Sequence, residues 1–196
     1  MPGNLPSLEL KQYWIFLLLG IFLGVLGYIY EIVILNVGNF YDKLGKMLRL
    51  PSYFYGLIAV VLTLPIAYFF PQLLGGGNSI ITSLSDSHLT LEIALLFFVI
   101  LFAWIMISYG SGLPGGIFLP ILTLGALAGL SFALFFENMR LLDASILPLF
   151  IVLGMAGYFG AISKAPLTAM ILVTEMVGDL RQLMAIGVVA LVSYLT

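Results

Sequence analysis

The chain has 196 residues, of which 62% are hydrophobic and 8% are charged, and its formal net charge at pH 7 is −2. A soluble domain carries about 25% charged residues, so this composition indicates a membrane protein. The near-neutral charge argues against a nucleic-acid partner, and the lack of cysteine excludes disulfides and thiolate metal sites. No His, Asp or Glu residues have the spacing of metal ligands, so we predict no metal site and no cofactor.

The first apolar run, Trp14–Leu35, is long enough to cross a bilayer as a helix. Within it, Gly20 and Gly24 are followed by Gly27, a spacing that allows a neighbouring helix to approach closely. Residues 39–51 are polar, and most of their charged side chains are basic. Because basic residues collect on the cytoplasmic side of membranes, we predict that residues 39–51 form a cytoplasmic loop.

Further apolar runs, several of them short, follow along the chain. They cover Phe54–Leu74, Ile80–Leu84, Leu91–Tyr109, Gly116–Phe136, Ser145–Ile162, Pro166–Val177 and Leu183–Thr196. Pro65 and Pro71 predict a kink in the first of these, or two short helices, and Asp86 or Ser87 is the expected cap before Leu91. The pattern predicts an all-α membrane protein, a bundle of unequal, broken transmembrane and re-entrant helices. Such bundles are typical of transporters and channels.

Residues 110–120 read GSGLPGGIFLP and lead into an uncharged helix. The first turn of a helix leaves backbone N–H groups unpaired and carries partial positive charge, which suits a dehydrated anion within a membrane. We therefore predict that the amides of Ile117 and Phe118 bind an anion, and a loop needed only for close packing is the alternative. The residues expected to support this loop are Gly112, Pro114, Gly115, Gly116 and Pro120.

Ionisable residues in apolar segments are functional candidates, and each has a structural alternative. Lys164 could attract anions, although an interfacial lysine that reaches water is the simpler interpretation. Glu175 could carry a proton, but its place near a helix end favours an interfacial role. Glu31 is expected to reach the cytoplasmic interface, and His88 to be a solvated loop residue. Ser111 has no partner base, so we predict no catalytic residue.

Two segments resemble the CLC family of chloride channels and chloride/proton antiporters. Residues 110–120 resemble the pore loop of the second half of the family's membrane domain. Residues 154–176, GMAGYFGAISKAPLTAMILVTEM, resemble a later segment of that half, in the family's order and spacing. The resemblance implies that residues 1–196 form a partial CLC-type transmembrane domain, the second inverted repeat without its final helix.

The resemblance also implies partners and a location. CLC subunits pair as homodimers, so we expect a homodimer. CLC proteins lie in the lipid bilayer, so we also expect an integral protein of the plasma membrane. Glu175, Leu172 and Ile186 are the residues expected near the subunit interface. Chloride is the expected ligand, held by backbone amides.

The family's first-half motifs, GSGxP and GREGP, and its internal proton glutamate are not found in this sequence. GSGLP is similar to the serine motif, but GGIFLP directly after it marks the second-half loop, so Ser111 is not assigned an ion-coordinating role. We expect the chain to supply one wall of an anion pore and to need the first half of the same transporter. It would then be either part of a longer protein or a half-length gene product.

The residues that would decide between channel and antiporter, and between chloride and nitrate, belong to the missing half. The alternative function is a non-transporting membrane protein, an assembly or regulatory partner built on the half-fold. A membrane enzyme is a weaker third possibility, because the sequence contains no catalytic constellation.

Overall fold

The computed structural model describes residues 13–48, 55–69, 90–112, 116–178 and 180–196. Within these ranges the chain forms α-helices and no strand. The helices are α1 (Tyr13–Leu48), α2 (Tyr55–Phe69), α3 (Leu91–Gly110), α4 (Phe118–Asn138), α5 (Leu147–Ser163), α6 (Pro166–Val177) and α7 (Leu183–Leu195). Short 3₁₀ turns, Ala144–Ile146 and Leu180–Gln182, precede α5 and α7. The predicted all-α class is confirmed.

The helices are unequal in length, as the sequence predicts. Four described segments are long and apolar enough to cross a membrane: Trp14–Lys43, Leu91–Gly110, Phe118–Asn138 and Ala144–Ser163. Helix α6 and the segment Leu180–Leu195 are apolar but shorter. The boundaries of α3 to α7 lie within a few residues of the predicted apolar runs.

Helix α1 is longer than predicted. Its 36 residues extend about 54 Å, well beyond a hydrocarbon core of about 30 Å. Residues 39–48, predicted to be a loop, continue the helix, so that prediction is wrong for the described part of 39–51. The buried side chain of Tyr41 explains the extension, because its hydroxyl donates a hydrogen bond of 2.6 Å to the carbonyl of Ile107 and ties this part of α1 to α3.

Helix α2 runs through Pro65 as one helix and does not divide into two. The hydroxyl of Thr63 donates to the carbonyl of Ala59 and accepts a 3.3 Å hydrogen bond from Nε1 of Trp104, which joins α2 to α3. Thr90 is the N-cap of α3, so the predicted caps at Asp86 or Ser87 are wrong. Pro71 and the run Ile80–Leu84 lie outside the described residues.

Helices α4 and α5 form the centre of the bundle and run antiparallel, with Gly125 beside Gly154 and Gly129 beside Phe150. A Cβ atom at Gly125 would lie 2.6 Å from the carbonyl oxygen of Gly154, closer than real Cβ contacts allow. These positions require glycine because the two backbones touch directly. Such small-residue contacts replace the hydrophobic driving force that lipid cannot supply.

The glycines of α1 make the close contact that the sequence predicts. A Cβ at Gly20 would lie 2.7 Å from the Cβ of Val192 on α7, and one at Gly27 would lie 2.8 Å from the Cβ of Ala161 on α5. Helix α1 therefore packs across the ends of both α5 and α7. This arrangement places α5 against α1 on one side and α4 on the other.

Candidate anion site at the start of helix α4

Helix α4 begins without a side-chain cap. Ile117 is the N-cap residue, with φ −91° and ψ −21°, and no side chain donates or accepts a capping hydrogen bond there. The amide of Ile121 makes a hydrogen bond of 3.2 Å to the carbonyl of Ile117. Pro120 has no N–H, so the amides of Ile117, Phe118 and Leu119 are those at the start of the helix without an acceptor within it.

The structure therefore places Ile117 and Phe118 where the sequence puts them, at the start of a helix. Leu119 is a further amide that the sequence analysis missed. Pro120 is the sequence feature that indicates it. Proline has no N–H, so the free amides of the first turn belong to the residues before Pro120. The helix dipole adds partial positive charge at the same point.

Gly112 and Gly116, the described glycines between α3 and α4, are both exposed. Gly112 has a φ of +73°, which favours glycine, and its amide donates a 3.2 Å hydrogen bond to the carbonyl of Tyr109. Gly116 is exposed, and no described atom lies within 4 Å of the place where its Cβ would stand. The described part of the chain therefore leaves room for a small ligand at the backbone beside Ile117. Pro114 and Gly115 lie outside the described residues.

The start of α4 is held by an aromatic contact with α5. The half-buried ring of Phe118 packs edge to face against Phe159, with ring centroids 5.2 Å apart. Pro120 is also half-buried. Because Phe159 lies in the second half of α5, the end of α5 sets the position of the first amides of α4.

Lys164 is paired. Its Nζ lies 2.9 Å from Oε1 of Glu31, and the two side chains are 62% and 42% exposed. Lys164 is the C-cap of α5 and has a left-handed backbone, with φ 53°. The pair joins the end of α5 to α1, and the sequence alone does not indicate it. The ammonium charge is balanced here, so it adds little to the attraction of anions.

The residues predicted at a subunit interface differ in their exposure. Glu175 is exposed and Leu172 is half-buried. Ile186 is fully buried within the core of the chain, so its prediction as an interface residue is wrong. Its helix, α7, turns that face towards the interior and leaves Met184 exposed.

The remaining candidates make no site. The hydroxyl of Ser111 donates a 2.6 Å hydrogen bond to the carbonyl of Ser108, as a residue that ends a helix commonly does. His88 lies outside the described residues. In the described part of the chain, no three His, Asp or Glu side chains are grouped as metal ligands would be.

Comparison with known proteins gives consistent results. Residues 2–196 match the family described as voltage gated chloride channel. The chain is 34% identical over 174 residues to the H(+)/Cl(−) exchange transporter ClcA of Vibrio campbellii, a match covering 88% of this chain and 37% of that one. It is 29% identical over 194 residues to ClcA of Yersinia pestis, covering 96% of this chain and 40% of that one.

The fold is similar to a solved structure of a slow cyanobacterial Cl−/H+ antiporter, with a TM-score of 0.84 and 26% sequence identity. That match covers 96% of this chain and 44% of the antiporter. The chain thus spans about two fifths of the length of these relatives. Since the family match extends over nearly every residue and the helices superpose on an antiporter, the chain is an integral membrane protein that belongs to the voltage-gated chloride channel (CLC) family.

Proposed function

We propose that the chain forms the second half of the membrane domain of a chloride-transporting protein. In this proposal the start of α4 contributes backbone amides to the anion site. The observation that carries it is the uncapped helix start, where Ile117, Phe118 and Leu119 present amides beside the exposed backbone of Gly116. Unpaired backbone groups within a membrane need a partner, and a helix N-terminus favours an anion.

Backbone amides suit an ion that has to be released again. They carry only partial charge, so they compensate for lost hydration without the strong attraction of a bare lysine or arginine. The pairing of Lys164 with Glu31 supports binding by backbone amides instead of a cationic side chain, because this lysine at the end of α5 already has a carboxylate partner. The names of the relatives, which exchange H(+) and Cl(−), support chloride as the ion.

A first half of the same transporter is the proposed partner. The chain matches about two fifths of each relative, so it supplies one wall of a pore and not the whole path. The protein is proposed to lie in the plasma membrane. Lys43 is the last residue of the candidate span Trp14–Lys43, and Lys46 lies beyond it on α1. Both are proposed to face the cytoplasm.

We further propose that complete subunits pair through α6 and α7. Helix α6 has 12 residues, too few to cross a bilayer alone, and its side chains Leu167 and Ile171 are exposed. Met184 at the start of α7 is exposed as well. A second copy of the subunit would cover these apolar side chains, with Glu175 near the edge of the contact.

Co-reconstitution tests the proposed function. The chain is combined in liposomes with a first half taken from a relative such as the Vibrio campbellii transporter, and chloride efflux is followed with an ion-selective electrode. We expect efflux only when both halves are present, and reduced efflux with the Gly116→Pro variant. The matched controls are the first half alone and the Gly116→Ala variant.

Two results would contradict this proposal. Equal efflux from the first half alone would remove the chain from the pore and favour the assembly or regulatory function. Stable association of the two halves without chloride efflux or chloride binding would also favour the assembly or regulatory function.

A further inference from the structure

Two tyrosines are buried at the centre of the bundle with their hydroxyls unpaired. Tyr30 of α1 and Tyr158 of α5 are 1% and 0% exposed, and their rings meet edge to face with centroids 6.1 Å apart. Neither hydroxyl oxygen has a hydrogen-bond partner among the described residues. A phenol that leaves water without gaining a partner destabilises the folded state, and here two such groups lie together.

The surroundings of the pair are aromatic side chains and helix backbone, and Tyr109 of α3 is a further phenol that interacts electrostatically with Tyr30. Phe102 of α3 packs edge to face on Tyr30, with centroids 6.0 Å apart. The Cβ of Tyr158 lies against Gly125 of α4, 2.9 Å from where a Cβ would stand there. Four helices, α1, α3, α4 and α5, therefore enclose the two rings. Backbone amides within helices are already used, so these neighbours offer the hydroxyls few alternatives.

We propose that Tyr30 and Tyr158 bind ordered water between α1 and α5. A phenol both donates and accepts hydrogen bonds, and a water molecule can accept from one hydroxyl and donate to the other. Buried waters typically make about three hydrogen bonds, with two as a minimum, to polar groups that have no other partner. Two buried hydroxyls supply that minimum.

A halide fits this position less well than water. Glu31 follows Tyr30 directly in the chain, and it pairs with Lys164, so the described charges nearby sum to zero. A buried anion needs a compensating charge or several converging donors, and two phenols provide only two. Water carries no charge and needs no such compensation.

The water site lies close to the candidate anion site but does not depend on it. Tyr158 precedes Phe159, whose ring contacts Phe118 at the start of α4. Bound water would therefore give α1 and α5 a polar link beside the contact that positions the first amides of α4. The inference rests on the two hydroxyls alone, whatever ion the protein carries.

Hydroxyl-radical footprinting tests the proposal directly. Radicals are generated from water by an X-ray pulse in the purified full chain in detergent, and oxidised residues are identified by mass spectrometry. Bound water produces radicals in place, so we expect Tyr30 and Tyr158 to be oxidised well above the level of equally buried residues that have no water beside them. The matched controls are Phe16 and Phe150, which are equally buried and pack against each other at 6.0 Å. Protection of both tyrosines to the level of these phenylalanines would overturn the proposal.

Removal of each hydroxyl gives a second readout. With water bound, Tyr158→Phe leaves that water short of a partner, so we expect a Tm about 2–4 °C lower and slower oxidation of Tyr30. Without water, the same variant relieves an unpaired hydroxyl, and a raised Tm would contradict the proposal. Tyr28→Phe, at an exposed position, is the control and should leave the Tm unchanged. A chloride-dependent Tm that is lost in Tyr158→Phe would also overturn water, in favour of a halide.

Discussion

Glu31 and Lys164 form an ion pair of 2.9 Å although 133 positions separate them in the chain. The pair closes the contact between α1 and the end of α5, one residue beyond Tyr30 on α1. Lys164 holds this position with a left-handed backbone, where α5 ends and the turn into Pro166 begins. The same residue thus combines a backbone role, ending a helix, with a side-chain role, joining two helices.

The two roles of Lys164 can be separated by substitution. Lys164→Ala and Lys164→Gly both remove the ion pair, which at this exposure contributes at most about 1 kcal/mol. Only glycine relieves the left-handed backbone, which costs other residues about 1–2 kcal/mol. We therefore expect the Gly variant to be more stable than the Ala variant by about 1 kcal/mol, measured by denaturation in detergent. Equal stability of the two variants would mean that the turn relaxes without strain.

The crossing of α4 and α5 depends on the absence of side chains. A Cβ at Gly129 would overlap the carbonyl oxygen of Phe150 and lie 2.9 Å from the Cα of Gly154. We expect Gly129→Ala to destabilise the chain by about 1–3 kcal/mol, because two backbones have to separate. Thermal unfolding in detergent measures the effect.

Gly38 provides the matched control for Gly129. It also lies within a helix, but no described atom is within 4 Å of the place where its Cβ would stand. Alanine there should be neutral or stabilise by about 0.5–1 kcal/mol. If Gly129→Ala and Gly38→Ala were equally destabilising, the loss of stability would arise from helix flexibility and not from the α4–α5 contact.

The elements predicted best from the sequence are those whose signals are local. Helix α6 begins at Pro166 and ends before Gly178, which has a φ of +73°, as proline at a start and glycine after an end predict. The start of α4 at Phe118 also follows a local signal, the adjacent glycines and prolines of residues 110–120.

Features set by contacts between distant residues could not be predicted. Residues 39–48 are polar enough for a loop, and it is the hydrogen bond from Tyr41 to Ile107 that anchors them as helix. The prediction that Ile186 lies at an interface rests on the family resemblance. Helix α7 is apolar on every side, so its own pattern does not reveal which face is inside. The Glu31–Lys164 pair depends on the packing of α1 on α5, which no local pattern encodes.

Purified alone and placed in liposomes, the chain should give no chloride flux above protein-free vesicles. It supplies one side of the proposed pore, so the polar path across the bilayer is not closed. Chloride efflux measured with an ion-selective electrode checks this, and a protein-to-lipid titration excludes low incorporation. Chloride-selective flux that rises with the amount of the chain alone would contradict the half-pore proposal.

Gly116→Pro should weaken anion binding in a protein that joins the chain to a first half. Proline removes one N–H and fixes φ, which displaces the amides that follow it. A displaced amide of Ile117 or Phe118 would lose one hydrogen bond to the anion. Such a loss costs about 1.5–3 kcal/mol, so we expect chloride affinity to fall by at least about tenfold in titration calorimetry. Gly116→Ala is the control, because its Cβ meets no described atom within 4 Å. Unchanged affinity in the proline variant would contradict the amide site.

The last prediction concerns the proposed pairing of subunits through α6 and α7. Lipid tails are as apolar as leucine, so shape complementarity holds such a contact more than hydrophobic burial does. Ile171 and Met184 are 60% and 71% exposed, whereas Ile186 is buried and would disturb the core if enlarged. We therefore expect Ile171→Trp combined with Met184→Trp to turn the joined two-half protein into a folded monomer, as measured by light scattering and cross-linking in detergent. Chloride binding should persist, because the proposed anion site lies within one subunit.

The matched control for this pair lies on α3. Leu96 and Val99 are 51% and 61% exposed, similar to the residues on α6 and α7. Leu96→Trp combined with Val99→Trp should leave the dimer intact, because lipid accepts a larger apolar side chain that protein packing does not. If the α3 variant is monomeric and the α6–α7 variant remains dimeric, the subunits pair through α3. Persistence of the dimer in both variants would place the contact on another face, since two tryptophans in a close-packed interface cannot be accommodated without separation of the helices.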